Sequence, residues 1–263
     1  MGFGDEIIGS GLARGAHARG KKIAFGDGHG INWSGLCSEI YEGNPNVARP
    51  GQEHLPNLEW VNFRKGNRVY STLSPDRSRY VWNYKWRMVP GEFFFSEAEK
   101  ALAATFAPGF IVIEPNLPWH KSCAVNKDWG EAKYIELGRR LLMQGHRLVQ
   151  FKHKEARRFI AGADIVELPR FRQAIAVLSR AALYVGAEGG MMHAAAAVGV
   201  KGVVLFGGWS PPLVCNLPSN IAVASANSGE ACGALHTCKH CKQAMASISV
   251  DQVKDAVIRQ LEK

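Results

Sequence analysis

Long hydrophobic runs are missing from this chain. No apolar stretch reaches the ~18 residues that a membrane-spanning helix needs, so no transmembrane segment is expected. The opening residues, Met1-Gly2-Phe3-Gly4-Asp5-Glu6, lack the basic and apolar regions of a secretory signal. Cysteine is scarce, six in 263 residues, and Cys37, Cys123 and Cys215 are widely scattered. That excludes a disulfide scaffold and sets a reducing cytoplasm as the expected compartment. Low-complexity tracts and internal repeats are absent. With 46% hydrophobic and 21% charged residues, general disorder is excluded as well. Acidic residues are in deficit, 23 against 32 Lys and Arg, a net charge of +9. Such a surplus favours a polyanionic partner: nucleic acid, an anionic membrane surface or a phosphorylated substrate. Plain solubility is the other reading.

The length suggests one large domain or two small ones. A helix is expected over 5–19 and a short strand over 21–27. Residues 28–75 are rich in Gly, Pro and Asn, which predicts short strands and loops. Over 79–87, Tyr80, Trp82, Tyr84 and Trp86 alternate with other residues. Period two predicts a strand with one aromatic face. A helix over 96–106 ends at Pro108-Gly109, the candidate domain boundary. Beyond it the pattern is cleaner. Strands are expected over 110–113, 147–151, 182–186 and 202–207, and helices over 131–144, 171–181, 192–198 and 251–261. Strand–helix alternation with short Gly turns implies βαβ units and a parallel sheet, with ligands beyond the carboxyl ends of the strands.

The most informative segment is Tyr184-Val185-Gly186-Ala187-Glu188-Gly189-Gly190-Met191-Met192-His193 followed by four alanines. A strand runs into Gly-Gly and a small-residue helix begins at once. Free N–H groups at that helix start would hold an anion, and the absence of side chains would let a phosphate approach. A tight turn with a closely packed alanine helix, and a packing role for His193, fit equally well. By its position Asp5 reads as a helix cap, and Lys127 as a solvated lysine beside a helix start.

The block from Glu188 to Ala197, followed by Gly199-Val200 and an apolar strand ending Phe206-Gly207, resembles the donor-site motif of glycosyltransferase family nine. That family includes the lipopolysaccharide heptosyltransferases. Gly2-Phe3-Gly4-Asp5-Glu6-Ile7-Ile8 resembles its N-terminal Gly-Asp loop, Lys127-Asp128-Trp129 its Lys-x-Trp-Pro motif, and Cys241 to Val253 its C-terminal tail. The four stretches lie in the family's order.

The resemblance implies an α/β, GT-B architecture: two Rossmann-like domains whose parallel sheets face across a cleft. Residues 1–107 would be the acceptor-side domain, short and lacking the usual first strand. Residues 108–263 would bind the nucleotide-sugar donor. The resemblance also implies an inverting, metal-independent glycosyltransferase. Asp5 matches its catalytic base, Lys127 its lysine on the donor phosphates, Glu188 an aspartate on the donor sugar, and Gly189, Gly190 and His193 its phosphate turn and histidine. Glu188 is longer than that aspartate, and Lys127 is followed by Asp-Trp-Gly. No cofactor is implied beyond the nucleoside-diphosphate sugar as co-substrate. In the tail, Cys232, Cys238 and Cys241, with His236 and His240 nearby, offer enough ligands for a structural zinc; a purely structural cysteine tail is the alternative.

Charge concentrates over residues 60–87. Arg64, Lys65, Arg68, Arg77, Arg79, Lys85 and Arg87 face Asp76 alone. Basic groups interleaved with aromatics suit a nucleic-acid surface; an aromatic sheet core with outward cations is the other reading. Arg77, Arg79, Lys85 and Arg87 are the candidate acceptor-binding residues. The expected acceptor is a hydroxymethylated pyrimidine in DNA, as in phage DNA modification. The phosphorylated lipopolysaccharide core is the alternative. A non-catalytic nucleotide-sugar or nucleic-acid binding module is a further alternative, against which stands the retention of Asp5 and Lys127.

Overall fold

A computed structural model describes residues 2–63, 66–226 and 228–263. Arg64 and Lys65, counted above in the basic stretch, lie outside the described residues. The first half runs α1 (Phe3–His17), β1 (Lys22–Phe25), α2 (Gly35–Tyr41), β2 (Leu58–Val61), β3 (Ser71–Leu73), β4 (Tyr80–Trp82) and α3 (Glu97–Ala104). The second half continues with β5 (Ile111–Glu114), a 3-10 turn (Ala124–Lys127), α4 (Glu131–Met143), β6 (Leu148–Lys152), β7 (Asp164–Glu167), α5 (Phe171–Leu178) and β8 (Leu183–Ala187). It closes with α6 (Gly190–Ala197), β9 (Gly202–Phe206), α7 (Pro212–Cys215), β10 (Ile221–Ala224), α8 (Lys239–Ser247) and α9 (Val250–Leu261).

Six strands of the second half form one parallel sheet in the order β10-β9-β8-β5-β6-β7. Its middle strands, Ile-Val-Ile-Glu, Leu-Tyr-Val-Gly-Ala and Gly-Val-Val-Leu-Phe, are buried along their whole length. Such continuous apolar runs suit a parallel sheet covered on both faces. Alternate residues divide between the faces. Ile111, Ile113, Val185 and Leu205 pack with Leu137 and Leu141 of α4 and Val253 and Val257 of α9. Phe110, Val112, Tyr184 and Val204 pack the other way, with Ile175 and Leu178 of α5 and Met192 of α6.

The first half joins that second core. Ile7, Ile8, Ile23, Phe25 and Tyr41 belong to the same buried cluster as α5 and α6. Its sheet content departs from expectation. The described residues hold a parallel pair, β1–β2, and a separate antiparallel hairpin, β3–β4. Among the described residues of 1–107 there is no full doubly wound sheet; the Gly, Pro and Asn of residues 28–57 leave few apolar runs to build one. The aromatic strand is also shorter than period two suggests, ending at Trp82. Asn83 turns the chain, its carboxamide oxygen accepting from the Lys85 N–H at 3.1 Å. No helix among the described residues is long and apolar enough to cross a membrane.

Candidate functional site

The chain leaves β5 outward through β6 and β7, then returns to place β8 on the other side of β5. Strand order therefore reverses between β5 and β8, where open α/β sheets bind ligands. The loop after β5 carries Lys127, and the loop after β8 carries Glu188, Gly189 and Gly190. Topology alone brings the two predicted donor segments together.

The Lys127 amine donates to the Glu188 carbonyl oxygen and to its carboxylate, each at 3.0 Å. It also lies 4.6 Å from the centroid of the Trp209 ring. Glu188 Oε1 is 3.7 Å from His193 Nε2, and Oε2 is 3.4 Å from Ser210 Oγ. Burial pushes the Glu188 carboxyl up, but Lys127 and His193 outweigh burial and hold it at about 2. Desolvation pulls the Lys127 amine down, but Glu188 more than restores it. Both side chains are thus charged, and both are at least five-sixths covered. A charged pair kept this dry is ready for an ionic ligand that can exchange with either partner.

Asp5 enters from the first half. It lies in the first turn of α1 and accepts from the Gly2 N–H at 2.9 Å, so its capping role is real. It has two further partners. The Tyr70 hydroxyl donates to Oδ1, and Arg68 Nε lies 3.5 Å from the same oxygen. Burial pushes the Asp5 carboxyl up. The Arg68 charge, the Tyr70 hydroxyl and the Gly2 N–H together outweigh it, and the group sits below its ordinary range. Arg68 belongs to the run read as a basic surface. It is instead buried, its guanidinium 4.4 Å above the Phe63 ring, with Nη1 lacking a hydrogen-bond partner.

The starts of α1 and α6 meet. A Cβ on Gly190 would stand 3.3 Å from both the Gly4 nitrogen and Phe3 Cβ, and one on Gly4 would stand 3.1 Å from His193 Cδ2. Glycine at both positions permits this approach. Asp5 follows Gly4 on α1, next to this meeting of the two helix starts. The starts of two helices thus lie together, and a helix start is a favourable place for an anion.

The candidate acceptor residues lie elsewhere. Arg77, Arg79, Lys85 and Arg87 are exposed around the β3–β4 hairpin. Trp82 beside them is buried, its ring 5.5 Å from Trp209 and nearly perpendicular to it, whereas Tyr84 is exposed. The aromatic face is therefore divided, part core and part surface. The hairpin is fixed to the second half: the Tyr80 N–H donates to the Gly233 carbonyl at 2.8 Å, and the Leu235 N–H to the Ser78 carbonyl at 2.9 Å. A cavity of about 480 Å³ opens beside the Glu188 cluster. Tyr84, Gly208, Ser210, Pro211 and Glu230 are among its walls. Its volume suits a small organic ligand.

Arg68, Tyr70, Trp209 and Ser210 escaped the sequence reading. Trp209-Ser210 carries a signal that could have found it, since it follows Gly207-Gly208 at the carboxyl end of a predicted strand. Arg68 and Tyr70 carry none, because only the tertiary fold brings them to Asp5.

The family model of glycosyltransferase family 9 (heptosyltransferase) matches residues 73–244. No curated protein matches the chain by sequence. Among solved structures, a family 9 glycosyl transferase from Veillonella parvula aligns with 100% of this chain and 95% of its own, at 13% identity and a TM-score of 0.64. The iron-containing dodecameric glycosyltransferase TibC from enterotoxigenic E. coli aligns with 100% of this chain and 74% of its own, at 12% identity and a TM-score of 0.66. ADP-heptose lps heptosyltransferase II of E. coli aligns with 66% of this chain and 54% of its own, at 18% identity and a TM-score of 0.49. The chain thus spans about half the length of that enzyme. At these identities the likeness is one of fold.

Proposed function

Because the chain belongs to glycosyltransferase family 9, we propose that it transfers a sugar from a nucleoside-diphosphate sugar to a hydroxyl on a polyanionic acceptor, with inversion and without a catalytic metal. One observation carries the reading. Asp5 follows Gly4, which packs against Gly190 and His193, and His193 faces the charged Lys127–Glu188 pair at the reversal of strand order.

In this reading the donor diphosphate lies at the start of α6, with Lys127 turned from Glu188 to its oxygens. Glu188 and His193 then have hydrogen-bonding capacity for the sugar. The acceptor oxygen attacks the anomeric carbon from the face opposite the diphosphate. Its proton passes to Asp5 as the new C–O bond forms, and the bond to the diphosphate oxygen breaks. Lys127 and the helix start offset the charge gathering on the leaving group. The Arg68–Tyr70 support keeps Asp5 ionised at neutral pH at some expense in basicity. Residues 108–263 supply the donor side and residues 1–107 the acceptor side of a GT-B-like cleft, with β1–β2 as the reduced sheet of the latter.

For the acceptor, the phosphorylated core of lipopolysaccharide stands first, because the matched family is that of the heptosyltransferases. Hydroxymethylated DNA is the second reading, supported by exposed Arg77, Arg79, Lys85, Arg87 and Tyr84 on one hairpin. Burial of Trp82 and Arg68 removes two of the groups that first favoured it.

The test is a panel of nucleoside-diphosphate sugars, with ADP-heptose among them, offered with lipopolysaccharide core and separately with hydroxymethylated DNA. Products are read by mass spectrometry. Asp5→Asn keeps the helix cap and should lower the transfer rate about 10²–10⁴-fold with donor affinity nearly unchanged. Near-normal turnover in a folded variant would leave Asp5 as a cap alone.

A further inference from the structure

Cys232, Cys238, His240 and Cys241 play no part in the chemistry just described. Their four ligand atoms, three sulfurs and one imidazole nitrogen, all lie within 4.8 Å of one another. Cys232 Sγ and Cys241 Sγ are 3.1 Å apart, and all three thiols are free. Cys241 is fully buried and the other three are half-buried. We propose that these residues bind one zinc ion, which clasps the 232–241 loop against the donor side of the site.

The donor set narrows the metal to a thiophilic ion and favours zinc. Three thiolates and an imidazole, with no oxygen, form a closed four-ligand set of the kind that holds structural zinc; calcium and magnesium need oxygen ligands. With Zn–S bonds of about 2.3 Å, a tetrahedron has edges of about 3.8 Å, so each ligand atom has at most about 1 Å to move. The spacing also fits. Cys238 caps α8, and His240 and Cys241 lie in its first turn, while Cys232 comes from the preceding loop. The ion would tie a helix start to that loop.

The same loop holds both supports of Lys127. The Cys238 N–H donates to Asn126 Oδ1 at 2.7 Å, and Asn126 Nδ2 donates to the His236 carbonyl at 2.8 Å. Asn126 immediately precedes Lys127. On the other side, Trp209 Nε1 donates to the Ala234 carbonyl at 2.8 Å. The Gly233 N–H donates to the Trp209 carbonyl at 3.0 Å, and the Cys232 N–H to the Gly208 carbonyl at 3.0 Å. Lys127 lies over that Trp209 ring. A metal that fixes residues 232–241 therefore fixes the turn carrying Lys127 and the indole beneath it. The clasp itself touches no substrate.

Untagged protein purified without chelator should contain about one zinc per chain by elemental analysis. The double variant Cys238→Ser, His240→Ala should contain almost none. Cobalt exchanged into the wild-type protein should give thiolate-to-metal charge-transfer bands and tetrahedral d–d bands, both absent from the variant. Stripping zinc should lower the melting temperature, and returning zinc should restore it. These readouts on wild-type protein stand even if the variant fails to fold. Less than about a tenth of a zinc per chain, with no cobalt spectrum on reconstitution, would overturn the proposal. A Cys232–Cys241 disulfide in freshly isolated protein, seen as the loss of two hydrogens in intact mass, would do the same. Stoichiometric iron would overturn the choice of zinc. The link to Lys127 rests on the donor reading above and has its own test: stripped protein should bind the donor more weakly, and unchanged donor affinity would remove that link while leaving the metal site standing.

Discussion

Glu114 ends the central strand β5 with its carboxyl buried and no cation in direct contact. Its Oε1 accepts the Asn116 N–H at 2.8 Å, and His153 Nε2 stays 3.9 Å from Oε2. Burial pushes the carboxyl up to about 7, and the Asn116 bonds recover only part of the rise. The folded state therefore holds a proton that the unfolded chain releases near 4.5. Stability from this group is fully present below that value and is lost as pH rises toward 7. By pH 8 the loss is about 3 kcal/mol. Glu114→Gln keeps the acceptor oxygen and cannot ionise. It should match the wild type in melting temperature near pH 4 and exceed it at pH 8. A gap that does not widen with pH would show that Glu114 titrates normally. The ionisation of Asp5 and Glu188 runs the opposite way. Both carboxyls are held low, so their contribution is present at neutral pH and fades only in acid.

Between elements, one buried cation joins the halves. Arg172, in the first turn of α5, is 1% exposed. Its Nε and Nη2 donate to Glu99 of α3, Nη2 also to the Phe94 carbonyl, and Nη1 to the carbonyls of Glu39 and Glu42. Burial pushes the Glu99 carboxyl up, but Arg172 and the Ser96 cap bring it below its ordinary value. Every guanidinium nitrogen is satisfied, so the buried charge leaves no donor unpaired. Arg172→Met should destabilise the protein by roughly 3–5 kcal/mol, because Glu99 remains behind, buried and unpaired. Denaturant unfolding would measure it. The double variant with Glu99→Gln should recover part of the loss, and no recovery would mean the cost lies in packing alone. None of this was legible in the sequence, where Arg172 is one cation among 32. The parallel sheet was legible, because its strands are continuous apolar runs punctuated by glycine. β7 and β10 were not: Asp164–Glu167 and Ile221–Ala224 are edge strands only four residues long, the first mostly exposed and the second half-buried. The short helix Gly35–Tyr41 had its Ser34 cap in view, but glycine, asparagine and tryptophan around it hid the period. The Glu188-Gly189-Gly190 turn could be picked out because it follows a strand end and resembles a family motif. Arg68 and Tyr70 could not, since they reach Asp5 only through a loop and a hairpin.

At the scale of the molecule, the question is what the positive surplus does. Of the basic stretch over 60–87, Arg68 is withdrawn to Asp5, and Arg77, Arg79, Lys85 and Arg87 remain exposed on a hairpin pinned to the second half. A fixed cationic ridge binds polyanions with a salt dependence set by the number of contacts. If the acceptor is DNA, duplex DNA should bind measurably at low salt, with log affinity falling linearly with log salt. Neutralising the four residues together should flatten that slope by up to about four contacts' worth and leave donor affinity unchanged. A lipopolysaccharide-core acceptor predicts only weak, non-specific DNA binding and a transfer that depends on anionic micelles. The aromatics separate the readings again. Trp82 is buried edge-on against Trp209, so Trp82→Ala should cost roughly 3–5 kcal/mol and lower the melting temperature. Tyr84 is 49% exposed, so Tyr84→Ala should melt normally. Loss of single-stranded DNA binding in that folded variant would mean that a base stacks on Tyr84. Undiminished binding would leave the hairpin a purely electrostatic surface, one that attracts lipopolysaccharide phosphates as readily as those of DNA.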